Sequence, residues 1–142
     1  VYKRQDEDVE LDEVLDRLCA MVRDVAAGER DVFVRRRGSV GRVSAALATP
    51  VAMAVTELVQ NAIEHGLDGR GGVVEVAVDR SAGRLTVSVA DGGVGLPDGF
   101  DVEASDSLGL RIVLTMVRDR GGELTLAGAD PGTVATIELP VS

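Results

Sequence analysis

Between Val51 and Ile63 the chain carries apolar residues at helical spacing on one side and chemistry on the other. Val51, Val55, Leu58, Val59, Ala62 and Ile63 form an apolar stripe that the rest of the chain must bury. Glu57, Asn61, Glu64 and His65 fall on the opposite side, and Gly66 ends the helix. Glu57 and Asn61 are four residues apart, as are Asn61 and His65, so these side chains line one ridge. A carboxylate, an amide and an imidazole in a row can hold a hydrated cation and whatever that cation binds. A solvated polar face is the plain alternative.

What surrounds this helix is aliphatic. Aromatic residues make up 2% of the chain and Trp is absent, so the core is built from Val, Leu, Ile and Ala. At 142 residues one domain with a real core is expected. The formal net charge of -9 argues against nucleic acid as a partner, because a phosphate backbone needs a basic surface. An anionic ligand would have to be met by a metal ion and local backbone dipoles. Lys3 is the only lysine, which leaves almost nowhere for a phosphate-gripping ammonium. The single Cys19 sits in an apolar helical pattern and reads as a buried side chain in a reducing compartment. No signal peptide or membrane-spanning run is read from the sequence, and a cytoplasmic location is expected.

In chain order, residues 1–8 are charged and without period, and read as a frayed start or the remnant of something upstream. Residues 9–142 read as one domain. Val9 to Leu11 could pair as a short strand. Asp12 is the expected N-cap of a helix marked by Leu11, Val14, Leu15, Leu18, Cys19, Val22 and Val25, which Gly28 ends. Asp31 to Arg37 alternates as a strand, and Gly38 to Ser44 reads as a loop. Thr49 and Pro50 read as cap and first residue of the central helix. Val73, Val74, Val76 and Val78, then Leu85, Val87 and Val89, mark two strands joined by a turn at Ser81 to Gly83. Gly92 to Ser107 is a long loop, a length usually functional or mobile. A helix with Leu110, Ile112, Val113, Met116 and Val117 apolar follows, ended by Gly121 and Gly122. Leu124 to Leu126 and Thr133 to Leu139 close the chain as strands. The order predicts a two-layer α/β sandwich, with helices on one face of a mixed, mostly antiparallel sheet.

Two more segments carry chemistry. Asp91 stands at a strand end, followed by Gly92, Gly93, Val94 and Gly95. Its carboxylate can accept from an exocyclic amine, and the glycines let a flat ring approach the backbone; Asp-Gly-Gly is also a common turn. Ser107, Leu108, Gly109 and Leu110 open the next helix. A helix start offers free N–H groups and a positive dipole end, and Gly109 lets a phosphate come close. A Ser cap with a tolerated glycine is the alternative there.

Taken in order, ELVQNAIEHG, DGGVG and SLGL resemble the N box and the two glycine boxes of the GHKL ATPase superfamily, over roughly Leu47 to Pro140. The resemblance implies the Bergerat ATP-binding fold. Within the superfamily the chain most resembles the catalytic, ATP-binding domain of sensor histidine kinases, and the spelling TELVQNAIEHG with SLGLRIV is similar to the HWE/HisKA_2 type found in actinobacterial two-component kinases. The resemblance implies ATP and Mg²⁺ as ligands. Asn61 would give its amide oxygen to Mg²⁺, and Glu57 would orient a magnesium-bound water or polarise the site. Glu64 and His65 would lie near the nucleotide, His65 by the phosphates. Asp91 would accept from the adenine amino group, while Gly93 and Gly95 shape the adenine wall and the lid hinge. Leu108, Gly109 and Leu110 would present N–H groups to the phosphates, and Thr133 would support the adenine end. The second glycine box departs from the common pattern in having one clear glycine, Gly109, with Ser107 in the earlier place, and Arg111 reads as a surface residue.

His65 is the only histidine. It ends the helix of the ATP site, where the dipole favours a cation, and so makes a poor phosphoacceptor. The resemblance therefore implies that the acceptor histidine lies on a helical dimerisation domain absent from this chain, that a response regulator receives the phosphoryl group next, and that the full-length protein is a homodimer. An anti-sigma-factor serine kinase, which phosphorylates and sequesters protein partners, is the rival from the same fold; the leading helix and the SLGLR spelling favour the histidine kinase.

Overall fold

A computed structural model describes residues 7–67, 69–93, 108–129 and 132–141. The elements run β1 (Asp8–Glu10), α1 (Leu11–Ala27), β2 (Val32–Gly38), β3 (Arg42–Ser44), α2 (Ala45–Asn61), a π-helical turn (Ala62–Gly66), β4 (Gly72–Ser81), β5 (Arg84–Asp91), α3 (Leu108–Asp119), β6 (Glu123–Gly128) and β7 (Thr133–Pro140). Five strands form a sheet in the order β2-β4-β5-β7-β6. Only β2 and β4 pair parallel; β4 with β5, β5 with β7 and β7 with β6 are antiparallel. The helices cover one face, so the two-layer α/β sandwich expected from the element order is what the chain forms.

Period-two alternation decides which side of the sheet is buried. Val74, Val76 and Val78 on β4, Leu85, Val87 and Val89 on β5, and Ala135, Ile137 and Leu139 on β7 all point into the core. Val73 and its parallel partner Phe33 stand on the other face, 39% and 63% exposed. Val51, Ala54, Val55, Leu58, Val59, Ala62 and Ile63 pack down on these strands. The segment Ala45–Gly66 is long and apolar enough to cross a membrane by length and composition alone, contrary to the sequence expectation. Its apolar side is instead the centre of the core. Cys19 is buried there too, and burial pushes its thiol up to about 11.

Local structure departs from the sequence reading at four places. Helix α1 begins at Leu11, capped by the backbone of Glu10 with no side-chain bond, so Asp12 is not its N-cap. The Asp12 carboxylate instead accepts from Val40 N at 3.0 Å, Gly41 N at 3.0 Å and Ser39 Oγ at 2.9 Å. Second, the segment read as a loop contains β3, which pairs with β1 from Asp8↔Ser44 to Glu10↔Arg42. Third, α2 starts five residues earlier than Pro50 implied, because Ser44 Oγ accepts from Leu47 N at 3.2 Å and caps it; Pro50 lies inside the helix. Fourth, Val25 and Ile112 are 81% and 44% exposed, while Leu114 takes a buried place on α3. The loop expected at Gly92 to Ser107 lies outside the described residues from position 94 on, and so do Val1 to Asp6 at the chain start.

Candidate functional site

Helix α2 and the two structural glycine segments converge at one end of the sheet. Gly66 lies against Asp91 at the end of β5, which fixes where α2 finishes. Gly122, just after α3, lies against Glu138 and Leu139 at the opposite end of β7. Helix α3 therefore starts beside the site, runs away from it and is antiparallel to α2.

The ridge expected along α2 holds only in part. Glu57 and Asn61 are both half-buried on its last α-helical turns. Beyond Asn61 the backbone widens, with Leu67 N donating to Ala62 O, five residues back, at 2.9 Å. Such π turns are rare and recur at functional sites. The wider turn rotates Glu64 and His65 relative to Glu57, and both are exposed. Glu64 Oε2 accepts from Gln60 Nε2 at 3.3 Å. The four-residue alignment of His65 with Asn61 assumed an unbroken α-helix, and the π turn removes that assumption.

Asn61 Nδ2 is buried and finds no partner among the described residues. A buried donor left unsatisfied costs about 1–3 kcal/mol. Asp91 is 8% exposed and is the only buried charged side chain among the described residues. Burial raises its pKa, and backbone N–H groups of Gly93 and Thr133 work against that rise. Gly93 N donates to Asp91 Oδ1 at 2.9 Å. Thr133 is the cross-strand partner of Asp91 in the β5–β7 ladder.

Glycines make this nest possible. A side chain at Gly93 would collide with the carbonyl oxygen of Gly66, and one at Gly132, at φ +99°, with the carbonyl oxygen of Asp91. Gly109 on the first turn of α3 touches the Glu57 carboxylate. Leu108 is 71% exposed beside it, Leu110 is buried in the core, and Arg111 is exposed. The structure thus brings together Glu57 with Gly109, and Asp91 with Gly93 and Thr133. It leaves Glu64 and His65 at the surface, and Gly95 lies outside the described residues. Sequence reasoning took Gly66 for a helix stop and passed over Gly132. Both are Asp91 contacts, and their only signal was a glycine adjoining a motif already singled out.

The constellation is a buried acceptor at a strand end, an unsatisfied amide and carboxylate on one helix, and a second helix opening beside them. The profile of the histidine kinase-, DNA gyrase B- and HSP90-like ATPases matches residues 46–142. The sensor histidine kinase PdtaS of Mycobacterium tuberculosis is 45% identical over 140 residues, covering 96% of this chain. The chain spans only 28% of that relative's length. The solved histidine kinase domain of the Erythrobacter litoralis EL346 blue-light activated kinase superposes with a TM-score of 0.87 at 26% identity, covering 99% of this chain and 66% of that one. An anti-sigma F factor of Clostridium acetobutylicum matches 46 residues at 46% identity, 32% of this chain and 32% of its own. The chain belongs to the family of histidine kinase-, DNA gyrase B- and HSP90-like ATPases.

Proposed function

We propose that this chain is the ATP-binding catalytic domain of a two-component sensor histidine kinase. The observation that carries the reading is Asp91, a buried carboxylate at a strand end, walled by glycines and held open to accept from the adenine amino group. Asn61 would give its amide oxygen, the hard donor Mg²⁺ prefers, Glu57 would orient a magnesium-bound water, and the orphaned Asn61 Nδ2 is a donor left for an acceptor such as a phosphate oxygen. Mg²⁺ held there would neutralise charge on the nucleotide phosphates. Glu57 would polarise that end of the site, and the first turn of α3 from Leu108 to Leu110 would turn its positive dipole end towards the phosphates. Thr133 and Gly93 would support the adenine end, with Gly95 at the lid hinge, Glu64 near the nucleotide and His65 by the phosphates.

The reaction is positioning and charge neutralisation more than covalent work. The γ-phosphoryl group would pass to a ring nitrogen of a histidine on a separate dimerisation domain, with ADP released, and an aspartate of a response regulator would receive it next. The full-length protein would act as a homodimer with this domain on the cytoplasmic side. The rival serine kinase rests on a match confined to a third of the chain, and capture of a sigma factor by this domain would reverse the preference.

Equilibrium binding of Mg²⁺-ATP to the chain tests the site. Asp91→Asn and Asn61→Ala should each weaken binding sharply, and unchanged affinity in both would sink the assignment.

A further inference from the structure

We infer that Gly66 is a positioning residue for nucleobase recognition: its bare Cα lets the Asp91 carboxyl stand where an amino group of the base can reach it. This deepens the nucleotide-site reading and rests on it. A Cβ built on Gly66 would lie 2.4 Å from Asp91 Oδ2, 2.5 Å from Cγ and 2.8 Å from Oδ1. The three nearest atoms all belong to one side chain, and none is backbone. Gly66 is absent from the glycines with positive φ, so its backbone takes values open to any residue. Space beside Asp91 is therefore what asks for glycine here.

The other two glycines of the nest behave differently. At Gly93 and Gly132 the obstacles are carbonyl oxygens of Gly66 and Asp91, and Gly132 also needs its φ of +99°. A side chain at either place would move main chain. At Gly66 it would move the Asp91 carboxyl, which is a terminal group on a short side chain. The position of Gly66 comes in turn from the π turn, whose extra residue carries the end of α2 onto β5. The helix bearing Asn61 and the strand bearing Asp91 thus meet at a contact where a methyl group would displace the Asp91 carboxyl.

The test compares the affinities of this chain for Mg²⁺-ATP and Mg²⁺-inosine triphosphate, which differ where adenine carries its amino group. The unaltered chain should prefer ATP. Gly66→Ala should cut that preference roughly tenfold to a hundredfold, the worth of a charge-assisted hydrogen bond, and leave inosine triphosphate binding within about threefold. A preserved ratio in Gly66→Ala, or an equal loss for both nucleotides, would overturn the inference. Asp91→Asn with an unchanged ratio would overturn the reading beneath it. A second measurement covers a variant that folds poorly. Any loss of thermal stability from Gly66→Ala should vanish in an Asp91→Ala background, where the carboxyl is gone; an equal loss in both backgrounds overturns the inference.

Discussion

The Glu57 carboxylate rests on Gly109, so close that a Cβ there would stand 2.1 Å from Cδ and 2.2 Å from each oxygen. The acid of α2 is thereby held over the first turn of α3, the helix end that attracts anions. Gly109→Ala should push Glu57 out of this place. Displacing a polarising group by about an ångström costs on the order of 10²-fold in rate. Glu57→Gln should keep the contact and lose the charge. Single-turnover phosphoryl transfer to a supplied acceptor domain, measured beside ATP affinity, separates the two. Transfer should fall in both variants, with affinity held in Glu57→Gln. Full transfer by Gly109→Ala would dismiss the contact as incidental.

Labelling with γ-labelled ATP bears on the missing acceptor. His65 is exposed at the end of the π turn, within the ATP-site segment itself. The chain alone should stay unlabelled, and a histidine-bearing dimerisation domain added in trans should take the label. Acid-labile label on this chain that disappears in His65→Ala would show that the acceptor was inside it all along.

The fold was legible because it rests on local pattern. Alternation at Val74 to Val78 and Leu85 to Val89 gave strands with the right inner face, and the helical stripe from Val51 to Ile63 gave the core helix. What was not legible depended on contacts between distant segments. Asp12 reads as an N-cap by position, yet its carboxylate goes to residues 39–41. Pro50 reads as a helix start, yet Ser44 caps the helix earlier and packing carries α2 through the proline. The π turn leaves no periodic mark that five residues could show, so the four-residue spacing of Asn61 and His65 does not announce the wider backbone there. Gly66 could be read as needed for a stop; that it is needed by Asp91 requires the strand to be in view.

The β4–β5 hairpin offers a stability test away from the site. Its two-residue turn has Ala82 at φ 53° and Gly83 at φ 75°, and Ala82 is the only non-glycine with positive φ among the described residues. A left-handed alanine costs roughly 1 kcal/mol, and asparagine with glycine is the favoured pair for such a turn. Ala82→Asn should raise the unfolding free energy by up to about 1 kcal/mol with ATP affinity unchanged. A drop in the denaturant midpoint would refute it.

Two aspartates should give opposite pH signatures. Burial raises the pKa of Asp12, but hydrogen bonds from Gly41, Val40 and Ser39, with the Arg36 charge, outweigh it and leave the group below its usual 3.8. A group held lower in the folded state adds stability above its unfolded pKa and loses it as pH falls through the folded value. Asp12→Asn should therefore cost about 1–3 kcal/mol at neutral pH, and the difference should close under strongly acid conditions. Asp91 is shifted the other way, by burial. Its stabilising term is complete below 3.8 and is lost as pH rises through the raised folded value. Asp91→Asn keeps an acceptor for Gly93 N and carries no charge to bury, so it should be at least as stable as the unaltered chain at neutral pH while binding ATP poorly. Denaturant titrations of the three chains across pH decide it. An Asp91→Asn chain that is less stable at pH 7 would mean the carboxylate is held for the fold, whereas a stable chain that no longer binds ATP marks it as a group the fold tolerates for the sake of the ligand.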